Sequence, residues 1–256
     1  MEKIKKIREI YLLPSFFTNL NIFFGYLSIL ATFREKYLWS AYWIIIAAVM
    51  DAIDGIIAHS TKTQSDFGIQ LDSLADAFSF GAAPSLLLYS WGFKGIGFPG
   101  FGIFFSFIFL AAGILRLARY NTIQMSKPNR KFYTGLTVPS ASLLLAAIVL
   151  RHPQPVRTKL STFLLTILVV TLSLCMVSTI KYRNFLSFSF RKKINLQTTL
   201  LIAIIFSSLI VFRHIFLLIY FSINVLSGPS THAVKFLKKK IQKKSMPNKN
   251  RNSIGN

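Results

Sequence analysis

Eight of the 256 residues are acidic, and five of those fall between positions 51 and 76. Asp51 and Asp54 stand three apart, Asp72 and Asp76 four apart, and helical spacings of three and four put each pair on one face. Two antiparallel helices joined by a short loop would bring the faces together, so that four carboxylates share one cleft. Carboxylates so placed repel one another and are costly to desolvate, which calls for a compensating cation. All-oxygen ligands suit Mg²⁺ or Mn²⁺, and the absence of a nearby Cys or His pair argues against zinc. Two other readings fit the same spacing: four unrelated helix-end carboxylates facing water, and a transporter whose buried acids relay protons or cations. A relay needs acids spread along a path, whereas no acid follows Asp76, and that favours a compact metal site. Gly55, Ala58 and Gly68 leave room for a phosphate or nucleotide to approach the backbone, although small residues serve equally for close helix packing.

The elements that must position these acids are membrane spans. A formal charge of +22 combined with 53% apolar residues and 25 Phe fits neither a nucleic-acid binder nor a disordered basic chain, so no nucleic-acid partner is expected. Near-span-length apolar stretches recur at about 16–33, 38–58, 71–90, 101–120, 135–150 and 160–180. A longer stretch, 197–226, is interrupted at Arg213 and His214 and reads as one long helix or two short ones. With eight spans and a cytoplasmic N-terminus, 23 of the 30 Lys and Arg fall inside and 7 outside, whereas seven spans give 15 on each side. The positive-inside rule selects eight. The expectation is therefore an all-α polytopic membrane protein: a six-helix catalytic core over 1–185, two additional C-terminal transmembrane helices over 186–230, and a basic cytoplasmic tail over 231–256. Lys238-Lys239-Lys240 and Lys243-Lys244 suit that tail to anionic membrane lipid. Cys175, the single cysteine, excludes an intramolecular disulfide.

The string Asp51-x2-Asp54-Gly55-x2-Ala58-His59-x8-Gly68-x3-Asp72-x3-Asp76 resembles the motif of the CDP-alcohol phosphatidyltransferases, D-x2-D-G-x2-A-R-x8-G-x3-D-x3-D. It departs from that motif at His59, which stands where the family has arginine and is shorter and only partly charged near neutrality. Within the family the chain is most similar to the membrane-integral bacterial phosphatidylserine synthases, through Leu71 to Asp76, Ser79 to Pro84, Leu115 to Asn121, Gly135 to Pro139, and Pro14, Thr18, Asn21 and Gly25.

The resemblance implies transfer of a phosphatidyl group from CDP-diacylglycerol to an alcohol, with release of CMP and two divalent metal ions, Mg²⁺ or Mn²⁺. It makes Asp51, Asp54 and Asp72 metal ligands, and Asp76 both a partial ligand and the catalytic base. Gly55, Ala58, His59 and Gly68 would line the CDP pocket, with Thr18 and Asn21 added from the first helix. Arg116 and Arg119, three apart on one face, and Lys131 are candidates for binding the acceptor; positive-inside anchoring would account for the same cations. The acceptor expected from the resemblance is L-serine, and another CDP-alcohol phosphatidyltransferase, such as one making phosphatidylglycerol phosphate, is the alternative. A homodimer in a bacterial-type inner membrane, with its active site on the cytoplasmic side, completes the expectation.

Overall fold

The computed structural model describes residues 2–61, 66–95, 99–126 and 133–182, together with Ser222. Seven α-helices account for nearly all of it: α1 (Glu2–Phe33), α2 (Tyr37–Thr61), α3 (Asp66–Asp76), the short α4 (Ala83–Leu87), α5 (Pro99–Ser126), α6 (Val138–Arg151) and α7 (Lys159–Val177). Among the described residues, four segments are long and apolar enough to cross a membrane: Ser15–Phe33, Tyr37–Ile57, Gly100–Thr122 and Lys159–Val177. The chain is thus an all-α membrane protein, and helices lie over each of the first six apolar stretches. The stretch 186–230, apart from Ser222, and the tail 231–256 lie outside the described residues.

The helical stretch between α2 and α5 departs from a plain α-helix. It runs from Asp66 to Phe93, widening into π-helical turns at Ala77–Ala82 and Leu88–Phe93 on either side of α4. Pro84 explains part of this, because it has no N–H for the carbonyl one turn back. That carbonyl, Phe80 O, instead accepts a hydrogen bond from Ser142 Oγ of α6. A break in the ladder thereby becomes a bond between spans, as a lipid environment without water demands.

Between membrane helices the hydrophobic effect contributes little, so association rests on close packing and interhelical hydrogen bonds. Ala41, Ala47, Ala83, Ala141, Ala146 and Ala147 are buried to 2% exposure or less and let backbones approach around Phe80, Phe109 and Ile44. At Gly25 the approach is close: a Cβ there would stand 2.9 Å from the Ser79 Cα, and Ser79 Oγ donates to Asn21 O at 2.9 Å. Phe101, Phe104 and Phe107 on α5, like Leu160, Phe163 and Leu164 on α7, are exposed and suit contact with acyl chains.

The α1–α2 turn is a Schellman arrangement, with Lys36 N bonded to Ala31 O and Glu35 N to Thr32 O. Its left-handed position is occupied by Glu35, at φ 55°. Lys94 pairs with Glu35 at 2.8 Å and holds its carboxyl below the usual carboxylate range. At the other end of the bundle, β1 (Tyr133–Thr134) pairs antiparallel with β2 (Lys181–Tyr182). Gly135 follows β1 at φ +81°, where a Cβ would meet Met176 O.

Candidate metal and nucleotide site

The carboxylates meet because α2 descends toward the end of the bundle from which α3 sets out. Oxygen atoms of Asp51, Asp72 and Asp76 lie within 4.8 Å of one another. Asp54, expected as a fourth member, stands beside this trio: it is 6% exposed and accepts a hydrogen bond from Thr18 Oγ1 at 2.9 Å. Thr18, expected to line the CDP pocket, donates its hydroxyl to this aspartate.

The trio suits a divalent cation on chemical grounds. Its donors are hard oxygens, and Asp76 Oδ1 is buried with no hydrogen-bond partner among the described residues. An acceptor in that position is costly unless a proton or cation meets it. Asn21, wholly buried on α1, has no partner for either side-chain polar atom among the described residues, and Thr18, three residues earlier on the same helix, bonds Asp54. Gly55 shows a different signature from Gly25: a Cβ at position 55 would meet nothing within 4 Å. Packing therefore does not require glycine there, and open space adjoins Asp54.

Arg116 and Arg119 part company. Arg116 is 6% exposed, lies 5.2 Å over the Tyr120 ring, and is near enough to Asp76 to act on it electrostatically. Arg119 donates to Val177 O at 2.6 Å, Met176 O at 3.2 Å and Ser178 O at 2.9 Å. Those are carbonyls that end α7 and would otherwise lack partners. Three of its donor bonds thus tie α5 to α7 beside the Gly135 turn, a use that spacing alone does not reveal.

Ser73 and Asn121, not singled out as site residues, bond reciprocally at 2.9 and 3.2 Å and join α3 to α5 between Asp72 and Arg119. Their only sequence signal is their place inside the two similar stretches. Gly68 is half-buried on α3. Lys131 and the side chains of Ala58 and His59 lie outside the described residues.

The family model described as CDP-alcohol phosphatidyltransferase matches residues 11–186. A CDP-diacylglycerol--serine O-phosphatidyltransferase of Helicobacter pylori is 32% identical, over 78% of this chain and 84% of that protein. One from Methanocaldococcus jannaschii is 36% identical over 70% and 77%, and an archaetidylserine synthase of Methanothermobacter thermautotrophicus is 31% identical over 70% and 72%. With a carboxylate trio built from α2 and α3, and with a family match over residues 11–186, the chain belongs to the CDP-alcohol phosphatidyltransferases.

Proposed function

We propose that the chain transfers the phosphatidyl group of CDP-diacylglycerol to L-serine, forming phosphatidylserine and releasing CMP. The observation that carries the reading is the trio of Asp51, Asp72 and Asp76 within 4.8 Å, set in an apolar bundle. The names of the relatives support serine as the acceptor. Asp51, Asp72 and Asp76 would hold two divalent ions, Mg²⁺ or Mn²⁺, with Asp54 oriented beside them by Thr18. Ions bound there neutralise the pyrophosphate and stabilise the departing CMP.

The chain's own groups do the rest. Asp76 takes the hydroxyl proton of the acceptor as general base. Arg116, charged and nearly buried next to Asp76, receives the carboxylate of serine, a contact that is strong in a partly dry cleft. Arg119 acts as a positioning residue by holding the end of α7 against α5, and Lys131 remains a candidate for the acceptor on the family resemblance. The open space at Gly55 admits the nucleotide phosphates, Gly68 on α3 belongs to the same pocket on the family pattern, and Asn21 offers an amide to a polar group entering between α1 and α2. Ala58 and His59 belong to the same nucleotide pocket on the family pattern.

The active site faces the cytoplasm of a bacterial-type inner membrane in this reading, supported by the 23 to 7 division of Lys and Arg. The family resemblance suggests a homodimer. The test is purified protein with CDP-diacylglycerol and Mg²⁺ or Mn²⁺, given serine, glycerol 3-phosphate, inositol phosphate or choline in separate reactions. Serine-dependent CMP release, abolished by chelator and restored by metal, is expected. CMP release that requires a phosphorylated acceptor moves the assignment to another member of the family, and none with any acceptor sinks the transferase reading.

A further inference from the structure

At the end of the bundle away from the aspartates, where α6 stops and α7 starts, a groove of about 760 Å³ opens. Buried Trp91 and Leu165 line it together with the segment from His152 to Thr158. That segment is fixed by its backbone. Trp91 Nε1 donates to His152 O at 3.0 Å and Gln154 O at 2.8 Å, while Val156 N donates to Trp91 O at 2.8 Å. The side chains of His152, Gln154 and Arg157 are left exposed at the groove. Thr158 caps α7 by accepting from Ser161 N at 3.3 Å. Leu164 and Leu168, one turn apart on α7, continue the lining. Leu164, at 58% exposure, adjoins the apolar surface of Leu160, Phe163 and Ile167.

Charge tells what fits. Arg34, Lys36, Lys94, Arg151, Arg157 and Lys159 gather at the helix ends on this side, against a single described acid, Glu35, which is already paired with Lys94. Of these cations Arg157 lines the groove, exposed beside His152 and next to the apolar channel along Leu164 and Leu168, an arrangement that matches an anionic head attached to a hydrocarbon chain. Neither half alone explains the other.

We propose that this groove binds one anionic phospholipid of the leaflet opposite the aspartates, with its phosphate at Arg157 and His152 and an acyl chain along Leu164 and Leu168. The site is separate from the transferase centre and does not depend on which acceptor that centre uses.

Native mass spectrometry of the purified full-length chain, titrated with phosphatidylglycerol, tests it. One retained phosphatidylglycerol is expected, with affinity about tenfold weaker in Arg157→Glu and in Leu164→Trp. Lys94→Ala, a neighbouring cation outside the groove, leaves it unchanged. Phosphatidylcholine binds the unaltered chain and the variants alike, and glycerol phosphate, with no chain, does not compete. All three variants keep CMP release, which separates loss of the lipid from misfolding. Leu164→Trp fills the groove without changing charge, so the test stands even if Arg157→Glu fails to fold. Equal affinity in the unaltered chain and in the groove variants overturns the proposal. So does an equal loss in Lys94→Ala, which would mean diffuse charge, or competition by glycerol phosphate, which would mean a phosphate site with no role for lipid.

Discussion

One stripe of α1 carries Thr18, Asn21, Ser28 and Thr32, and the two halves of that stripe end in opposite conditions. Toward the α1–α2 turn, Ser28 and Thr32 close a network with Ser40 of α2: both hydroxyl contacts are 2.8 Å, and Thr32 Oγ1 also bonds Ser28 O at 3.0 Å. Toward the aspartates, Thr18 reaches Asp54, but the Asn21 amide and Asp76 Oδ1 have no partners among the described residues. Both regions are buried, so the difference is not one of access to water. A closed network joins helices and needs nothing more. An open one is stable only if something else supplies charge and hydrogen bonds, and this is how a binding site differs from packing.

The comparison can be broken most forcefully at the open end. Asp51→Asn or Asp76→Asn should lower CMP release by about 10² to 10⁴-fold, with Asp76→Asn sparing CDP-diacylglycerol binding, since a base is needed for attack more than for docking. Retained turnover in Asp76→Asn would remove it as base.

Next comes the closed contact around the Pro84 break. Ser142→Ala leaves the Phe80 carbonyl without its α6 donor and should cost about 1–3 kcal/mol of stability, read as a lower midpoint in thermal or denaturant unfolding. An unchanged midpoint would mean that the π-helical turns satisfy that carbonyl unaided.

A matched pair then sharpens the contrast itself. Thr18→Val should reduce turnover about tenfold with little change in stability, because Asp54 loses its orienting bond. Ser40→Ala should do the reverse, lowering stability by about 1 kcal/mol and sparing turnover. If the two variants behave alike, the division of the stripe into site and packing fails.

The smallest effect is expected at the turn. Glu35→Gly relieves a left-handed backbone position and should raise stability by about 0.5–1 kcal/mol, measured by the unfolding midpoint. The Lys94 pair forfeited is fully exposed and screened. Because Lys94 holds the Glu35 carboxyl below the usual range, any gain from the pair is present above that range and fades as pH falls through it. Comparing Glu35→Gln with the unaltered chain across acid pH checks the sign.

Much of the site was legible because its information is local. Spacings of three and four place Asp51 near Asp54 and Asp72 near Asp76 whatever the rest of the chain does, and apolar runs of span length set where helices can lie. Arg116 and Arg119 show where such reasoning stops. Their spacing is equally helical, yet one guanidinium sits beside Asp76 and the other caps α7 some sixty positions away in sequence. No periodicity distinguishes them, because the partner of Arg119 is a set of backbone carbonyls on another helix.

The sequence by itself therefore determined the helical class, the first six apolar stretches over which helices lie, the acidic pairs and the family, all of which depend on residue type at short range. The tertiary structure decided that Asp54 stands beside the carboxylate trio with Thr18 as its partner, that Phe80 O is met by Ser142, that Gly25 is demanded by contact while Gly55 faces open space, and that a cationic groove lies at the far end. Each of those depends on which helix stands next to which. In a bundle held by packing and interhelical hydrogen bonds, neighbourhood is a property of the assembled molecule.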